Sequence, residues 1–242
     1  MRTGMDGWRE RIGTRVGELW SPAIEAISRA RQARMFHPRG LTFAGRCVAI
    51  APLGERLQGR VLARTSQALW KRPLEYLDVL GVALRFRAGA GPDLDAAAEP
   101  GDQDLLCATI VSPLTMPLSP FTTNAHDFLG NRYWAVAPFE VDGARVKFRL
   151  SPRGTHVQEG HRDERLRAAV RAGEAGFLLE ARRTLHRRWQ PIARITLEHE
   201  VHVDQARLAF DPYRDGAAIV PVGLVHAIRR AVYAAGQRAR PR

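Results

Sequence analysis

Asp142 and Gly143 are all that separates RYWAVAPFEV (132–141) from ARVKFRLSP (144–152). Both runs are rich in β-branched and aromatic residues and alternate toward the period of a strand. A two-residue Asp-Gly link needs the left-handed backbone that these residues tolerate, and it closes a tight hairpin. The two runs are therefore antiparallel neighbours. The same texture starts at Gly40. TFAGRCVAIAP, GRVLARTSQ, GVALRFRAG and DLLCATIVSP are short and alternating or β-branched, with Gly, Pro or Asp between them. WQPIARITLEHEVHV (189–203) returns to the pattern, and residues 90–103 (AGPDLDAAAEPGDQ) read as a polar loop. Many antiparallel strands with helices attached predict an α+β protein: an antiparallel β-barrel core with appended α-helices.

The helices fall at three places. Residues 6–35 carry Trp8, Ile12, Val16, Leu19 and Trp20 at helical spacing. Pro22 breaks the run, and Ser21 can cap a second helical stretch, so residues 1–33 form an N-terminal helical arm. Residues 160–187, rich in Arg, Glu, Ala and Leu, read as a helical insertion in a barrel that runs over 40–212. The chain closes with a helix over 221–240. The sequence shows no internal repeat, and 242 residues suit one domain.

Composition narrows the function. No window of about 18 apolar residues occurs, so no membrane-spanning helix is expected. MRTGMDGWRERIG has no secretory apolar core, which points to a cytoplasmic protein. Cys47 and Cys107 stand in unrelated contexts and make neither a disulfide framework nor a zinc spacing. The net charge of +12 invites a nucleic-acid reading. Against it, the arginines are spread along the chain, Lys71 and Lys147 are the only lysines, and no RRM, KH, zinc-finger or helix-turn-helix pattern appears. No nucleic-acid partner is expected. Arginine also grips carboxylates through two N–H groups, so an acidic cofactor suits this composition. LEHEVHV (197–203) offers His199 and His202, but on a strand they face opposite ways and the spacing is not HExxH.

Three short segments carry chemistry. IRRAVYAAGQRAR (228–240) places Arg229 four residues before Tyr233 and Arg240 seven after it. At about 100° per helical residue all three share one face, although Gly236 weakens the second half. A guanidinium one turn from a phenol favours the phenolate, an anionic oxygen ligand suited to ferric iron. ARMFHPRG (33–40) sets Arg34 three residues before His37, and histidine is the usual acid–base residue. ARTSQ (63–67) sets Arg64 two residues before Ser66, on the same side of a strand.

The ordered set Arg-x-x-His-x-x-Gly, Arg-x-Ser, Gly-x-Ala-Leu-Arg-Phe, Asp-Leu-Leu and Arg-x-x-x-Tyr-x-x-x-x-Arg-x-Arg resembles the haem catalases. It most resembles their short catalase-like relatives, which lack the C-terminal flavodoxin-like domain, and it covers roughly residues 30–240. The resemblance implies haem b as cofactor, with Tyr233 as the proximal iron ligand and Arg229 holding it as phenolate. It implies that Arg34, Arg64 and Arg240 pair with the two propionates. His37 stands over the distal face and moves a proton between the peroxide oxygens, and Ser66 hydrogen-bonds its other ring nitrogen. Phe121 is the candidate for the phenylalanine stacked on the haem, with Phe128 as competitor. One departure matters. Where catalases carry a distal asparagine, DLLCATIVSP has Ala108 and Thr109, of which only Thr109 offers a hydroxyl. A missing aimed donor costs transition-state stabilisation. The resemblance, so qualified, implies a catalase-like peroxidase acting on hydrogen peroxide or organic hydroperoxides with an organic donor. The alternatives are a catalase-fold hydroperoxide isomerase or biosynthetic haem enzyme, and a non-enzymatic haem-binding member. Some 30 residues precede the histidine segment, fewer than the long arm that catalases wrap around their partner subunits. A homo-oligomer stays open.

Overall fold

The computed structural model describes residues 39–70, 74–136, 138–154, 159–184, 186–205 and 207–223. Ten strands lie in one sheet: β1 (Arg39–Ala49), β2 (Gly59–Gln67), β3 (Leu80–Ala88), β4 (Gln103–Ala108), β5 (Tyr133–Trp134), β6 (Phe139–Val141), β7 (Ala144–Pro152), β8 (Gly176–Arg183), β9 (Gln190–Glu200) and β10 (Val220–Pro221). Neighbours run β10-β6-β7-β5-β4-β3-β2-β1-β9-β8, and β8 pairs back onto β7. The sheet thus closes on itself as an antiparallel barrel, through β1, β2, β3, β4, β5, β7, β8 and β9. Closure removes the unpaired edges that an open sheet would present. The Asp-Gly hairpin joins β6 and β7, with Asp142 at φ 49° and Gly143 at φ 73°, the left-handed pair this link requires.

Alternation sets the two faces of the wall. Phe43 and Cys47 of β1, Val61 and Ala63 of β2, Leu80 to Phe86 at even positions of β3, and Leu105 and Cys107 of β4 point inward to one large apolar cluster. Phe148 and Leu150 of β7, Phe177 and Leu179 of β8 and Ile195 and Leu197 of β9 complete it. The intervening residues face outward. Leu62 packs there with Leu94, Ala96, Leu208 and Phe210, a second and smaller cluster formed where two connections cover the wall. Burial in the main core pushes the Cys47 thiol up to about 12, so it is protonated and inert at neutral pH.

Among the described residues, four short helical pieces accompany the barrel: α1 (Pro52–Glu55), a 3-10 turn (Pro113–Leu118), α2 (Ser119–Thr122) and α3 (Arg162–Arg171). The helical insertion expected over 160–187 is therefore corrected. α3 ends before Gly173, whose φ of 73° suits glycine, and residues 176–183 are strand β8. GFLLEARR has a helix-like composition, but pairing with β7 and β9 on both edges overrides it, with Phe177, Leu179 and Ala181 inside. The helix boundary at 221 also moves. Val220–Pro221 is strand and Gly223 has φ 94°, so no helix includes 221–223. The rest of the 221–240 segment, like the arm over 1–33, lies outside the described residues. Among the described residues no helix is long and apolar enough to cross a membrane.

Ion pairs tie neighbouring elements together along the wall. Arg87 grips Asp102 through Nε (2.7 Å) and Nη2 (2.9 Å), Arg149 meets Glu180 (2.6 Å), and Arg167 meets Glu200 (2.7 Å). Burial alone would raise the Asp102 and Glu180 carboxyls. The Arg87 guanidinium and the Glu99 N–H overcome this at Asp102, and Arg149 and the Ser151 hydroxyl overcome it at Glu180, so both sit below the usual carboxylate range. Glu200 is lowered chiefly by its hydrogen bond from Arg167. A carboxyl lowered in the folded state contributes stability that is present above its unfolded pKa and lost as pH falls through the folded one. Against its burial, the Arg162 N–H and His126 lower Glu75 as well. Burial pushes Asp104 the other way. With four depressed carboxyls against one raised, the urea midpoint is expected to hold through the neutral range and to fall once pH drops below the ordinary Asp and Glu values of 3.8 and 4.5. A midpoint that rises on acidification would contradict this sign.

Candidate functional site

The outward residues of β1 to β4 line up in rows, because antiparallel register puts them opposite one another. One row is Ala44, Leu62, Arg85 and Asp104; the next is Thr42, Arg64, Ala83 and Leu106; the last, at the barrel end, is Gly40, Ser66, Gly81 and Ala108. The first row is covered. Arg85, fully buried, reaches Asp104 through Nε (2.9 Å) and Nη2 (3.2 Å), donates to the Ala96 carbonyl (3.0 Å) and to that of Ala209, and lies over the Phe210 ring at 5.1 Å. Asp104 also accepts from the Asp211 N–H (2.8 Å) and from Arg214. Together these bonds pin the connections around Ala96 and Ala209–Arg214 to the wall.

The last row is different in kind: none of its side chains is larger than serine. Four strands at about 4.8 Å spacing make a platform about 14 Å across. Arg64 crosses it. Its guanidinium lies over Gly40, where an added Cβ would stand 2.8 Å from the Arg64 Cζ and 2.1 Å from the Thr65 carbonyl oxygen. Arg64 Nε donates to the Gln205 carbonyl oxygen Oε1 (3.3 Å), and Gln205 in turn donates to the Thr42 hydroxyl (3.1 Å). Gly40→Ala should therefore force strand β1 and the Arg64 head apart, at a cost of about 1–3 kcal/mol, read as a lower thermal midpoint. An unchanged midpoint would show that the wall gives way freely at this point.

Arg64 and Ser66 do share the outer face of β2, and each is 5% exposed. The Ser66 hydroxyl approaches the Gly81 carbonyl at 3.5 Å, long for a hydroxyl hydrogen bond, so it is not locked to the wall. His37, Arg34, Arg229, Tyr233 and Arg240 lie outside the described residues. Phe121 sits in α2, beside the platform end of β4, and is 70% exposed. Its competitor Phe128 is a packing residue. It is buried in the main core, and the buried Arg162 guanidinium lies 5.3 Å above its ring and donates to the Ala125 carbonyl (2.7 Å).

The position after β4 resolves into two different environments. Ala108 faces the platform in the row of Ser66, and its methyl side chain offers no hydrogen-bond donor. Thr109 turns to the opposite face. Its hydroxyl accepts from the Leu80 N–H (3.1 Å) and from the Thr123 hydroxyl (2.7 Å) and approaches the Leu80 carbonyl (3.4 Å). All its capacity is used in joining β3 to the loop. His199, weighed from sequence as a metal ligand, instead meets Asp93 at 2.7 Å, and its neighbours Glu198 and Glu200 are held by Arg60 and Arg167. Sequence reading missed the glycine-and-alanine platform itself. Its residues are scattered over four segments, and only the register brings them together. No protein-family model matches the chain, and no curated protein matches it.

Proposed function

We propose that this chain is a haem-dependent peroxidase of the short catalase-like kind, acting on hydrogen peroxide or organic hydroperoxides. The observation that carries the reading is the platform: a run of small residues, Gly40, Ser66, Gly81 and Ala108, with a buried arginine across one side. Such a surface fits a broad, flat apolar group with an acidic edge. Side chains of ordinary size would exclude the plate, and a guanidinium beside it suits a carboxylate. The residue order from Arg34 to Arg240 supports the same group. In this reading Tyr233, held as phenolate by Arg229, is the axial ligand, and Arg34, Arg64 and Arg240 bind the propionates. When bound, ferric haem supplies the redox chemistry of peroxide cleavage. His37 moves a proton from one peroxide oxygen to the other. Ser66 holds its ring plane and tautomer, a task for which an unlocked hydroxyl on the platform is suited.

Ala108 decides between reaction types within this reading. Dismutation needs a second peroxide to be held as reductant, and the platform offers no amide to hold it, while the Thr109 hydroxyl is already committed. An organic electron donor therefore replaces the second peroxide. The test is to purify the full chain with haem supplied, measure haem per chain and the Soret band, and compare oxygen release from hydrogen peroxide with donor oxidation. One haem per chain and donor oxidation outpacing oxygen release are expected. A chain that retains no haem sinks the reading, and rapid oxygen release without donor sinks the choice of peroxidase.

A further inference from the structure

Two loops carry all but Val48 and Ile50 of the large hydrophobic side chains that the described residues leave exposed. They are the β2–β3 loop, with Leu69, Trp70, Tyr76 and Leu77, and the β4–β5 loop, with Val111 to Phe121. Both leave the same end of the barrel. Gln67 pairs with Leu80, and the Thr109 N–H donates to the Leu80 carbonyl. His126 and Glu75, one from each loop, meet at 3.0 Å. The longer loop is braced rather than loose. Ser112 and Thr115 cap each other reciprocally, and Thr123 bonds Thr109 (2.7 Å) and the Ser119 carbonyl (2.8 Å). Yet Leu114 is 93% exposed and Leu118 62%. From Ile110 to Ala125 the sequence has no charged residue. By ordinary side-chain areas this end exposes on the order of 1,000 Å² of apolar surface, where the largest patch on a monomer is about 300–600 Å².

We propose that this end of the barrel docks on an anionic lipid bilayer, with Leu114, Met116 and Leu118 entering the boundary between headgroups and acyl chains. Charge selects the occupant. The chain carries +12, so a second copy brings a like charge to the contact, whereas an anionic leaflet attracts it. Trp70 and Tyr76 stand edge to face with ring centroids 6.4 Å apart, the amphipathic ring types that favour the headgroup level. A braced, uncharged tip on a strongly basic chain suits shallow insertion. Docking of this kind is independent of the haem reading, and it does not need Phe121, the candidate for stacking on the haem.

Cosedimentation of the full chain with vesicles of phosphatidylglycerol in phosphatidylcholine, and with phosphatidylcholine alone, tests the proposal. Wild type should bind the anionic vesicles, bind the neutral ones more weakly, and shift Trp fluorescence to the blue. Leu114→Asp combined with Leu118→Asp should lower partitioning at least about tenfold. Both side chains are exposed, so the thermal midpoint should not move. The proposal is overturned if wild type stays in the supernatant or if the double variant binds as wild type does. It is equally overturned if light scattering shows a dimer that the double variant abolishes, since the face would then belong to a second copy.

Discussion

In the haem reading, Tyr233→Phe is expected to take the protein from about one haem per chain to close to none, with the Soret band lost or moved and the fold intact. The substitution keeps the aromatic ring and its packing and removes one oxygen. If that oxygen is the axial ligand, the loss removes the only anionic side-chain donor in a stretch that contains no acid after Asp215. The arginines that would bind the propionates remain, so any residual haem should bind weakly and with altered coordination rather than as wild type. Arg229→Gln gives a graded companion. It leaves the phenol but withdraws the neighbouring positive charge that favours its ionised form, so the band should shift as the ligand becomes more readily protonated. The measurement is the absorption spectrum and haem content of each purified variant, with circular dichroism to confirm folding. A Tyr233→Phe spectrum identical to wild type would place the ligand elsewhere and leave the platform in need of another occupant.

The barrel was legible because its strands advertise themselves locally. The Asp-Gly link names one hairpin, and alternation names the inward residues of β2, β3 and β4 without any knowledge of their partners. What alternation does not name is register. Gly40, Ser66, Gly81 and Ala108 become one surface only when four segments are set side by side, and a slip by one residue would turn the row inward. The same rule held an unused signal. Leu105 and Cys107 alternate with Leu106 and Ala108, so Thr109 had to face away from Ala108, and the two could not serve as interchangeable donors. β8 was misread for a different reason: GFLLEARR resembles a helix in composition, and only pairing on both edges makes it a strand. The charged clamp was invisible from spacing, since Arg85 and Asp104 are cross-strand partners while Ala96 and Ala209 reach Arg85 from two connections, 11 and 124 residues away.

Breaking that clamp should have the second large effect. Arg85→Leu should destabilise the protein by about 3–5 kcal/mol, because removing one partner leaves a buried carboxylate without its main counter-charge. Asp104 keeps the Asp211 N–H and Arg214, which sets the loss nearer the lower figure, but the Ala96 and Ala209 carbonyls lose their donor as well. Arg85→Leu with Asp104→Leu should cost less than the sum of the single changes, since neither charge is then stranded. Urea unfolding of the four proteins yields the coupling directly, and additive losses would mean that the two residues act separately. The consequence reaches the platform. The connection that Arg85 holds through Ala209 begins a few residues after Gln205, which steadies both Arg64 and Thr42. Loosening the clamp should therefore free the arginine that crosses the platform. In the haem reading, Arg85→Leu would then weaken cofactor retention at a temperature where the barrel is still folded, whereas a purely structural clamp would lose the two together.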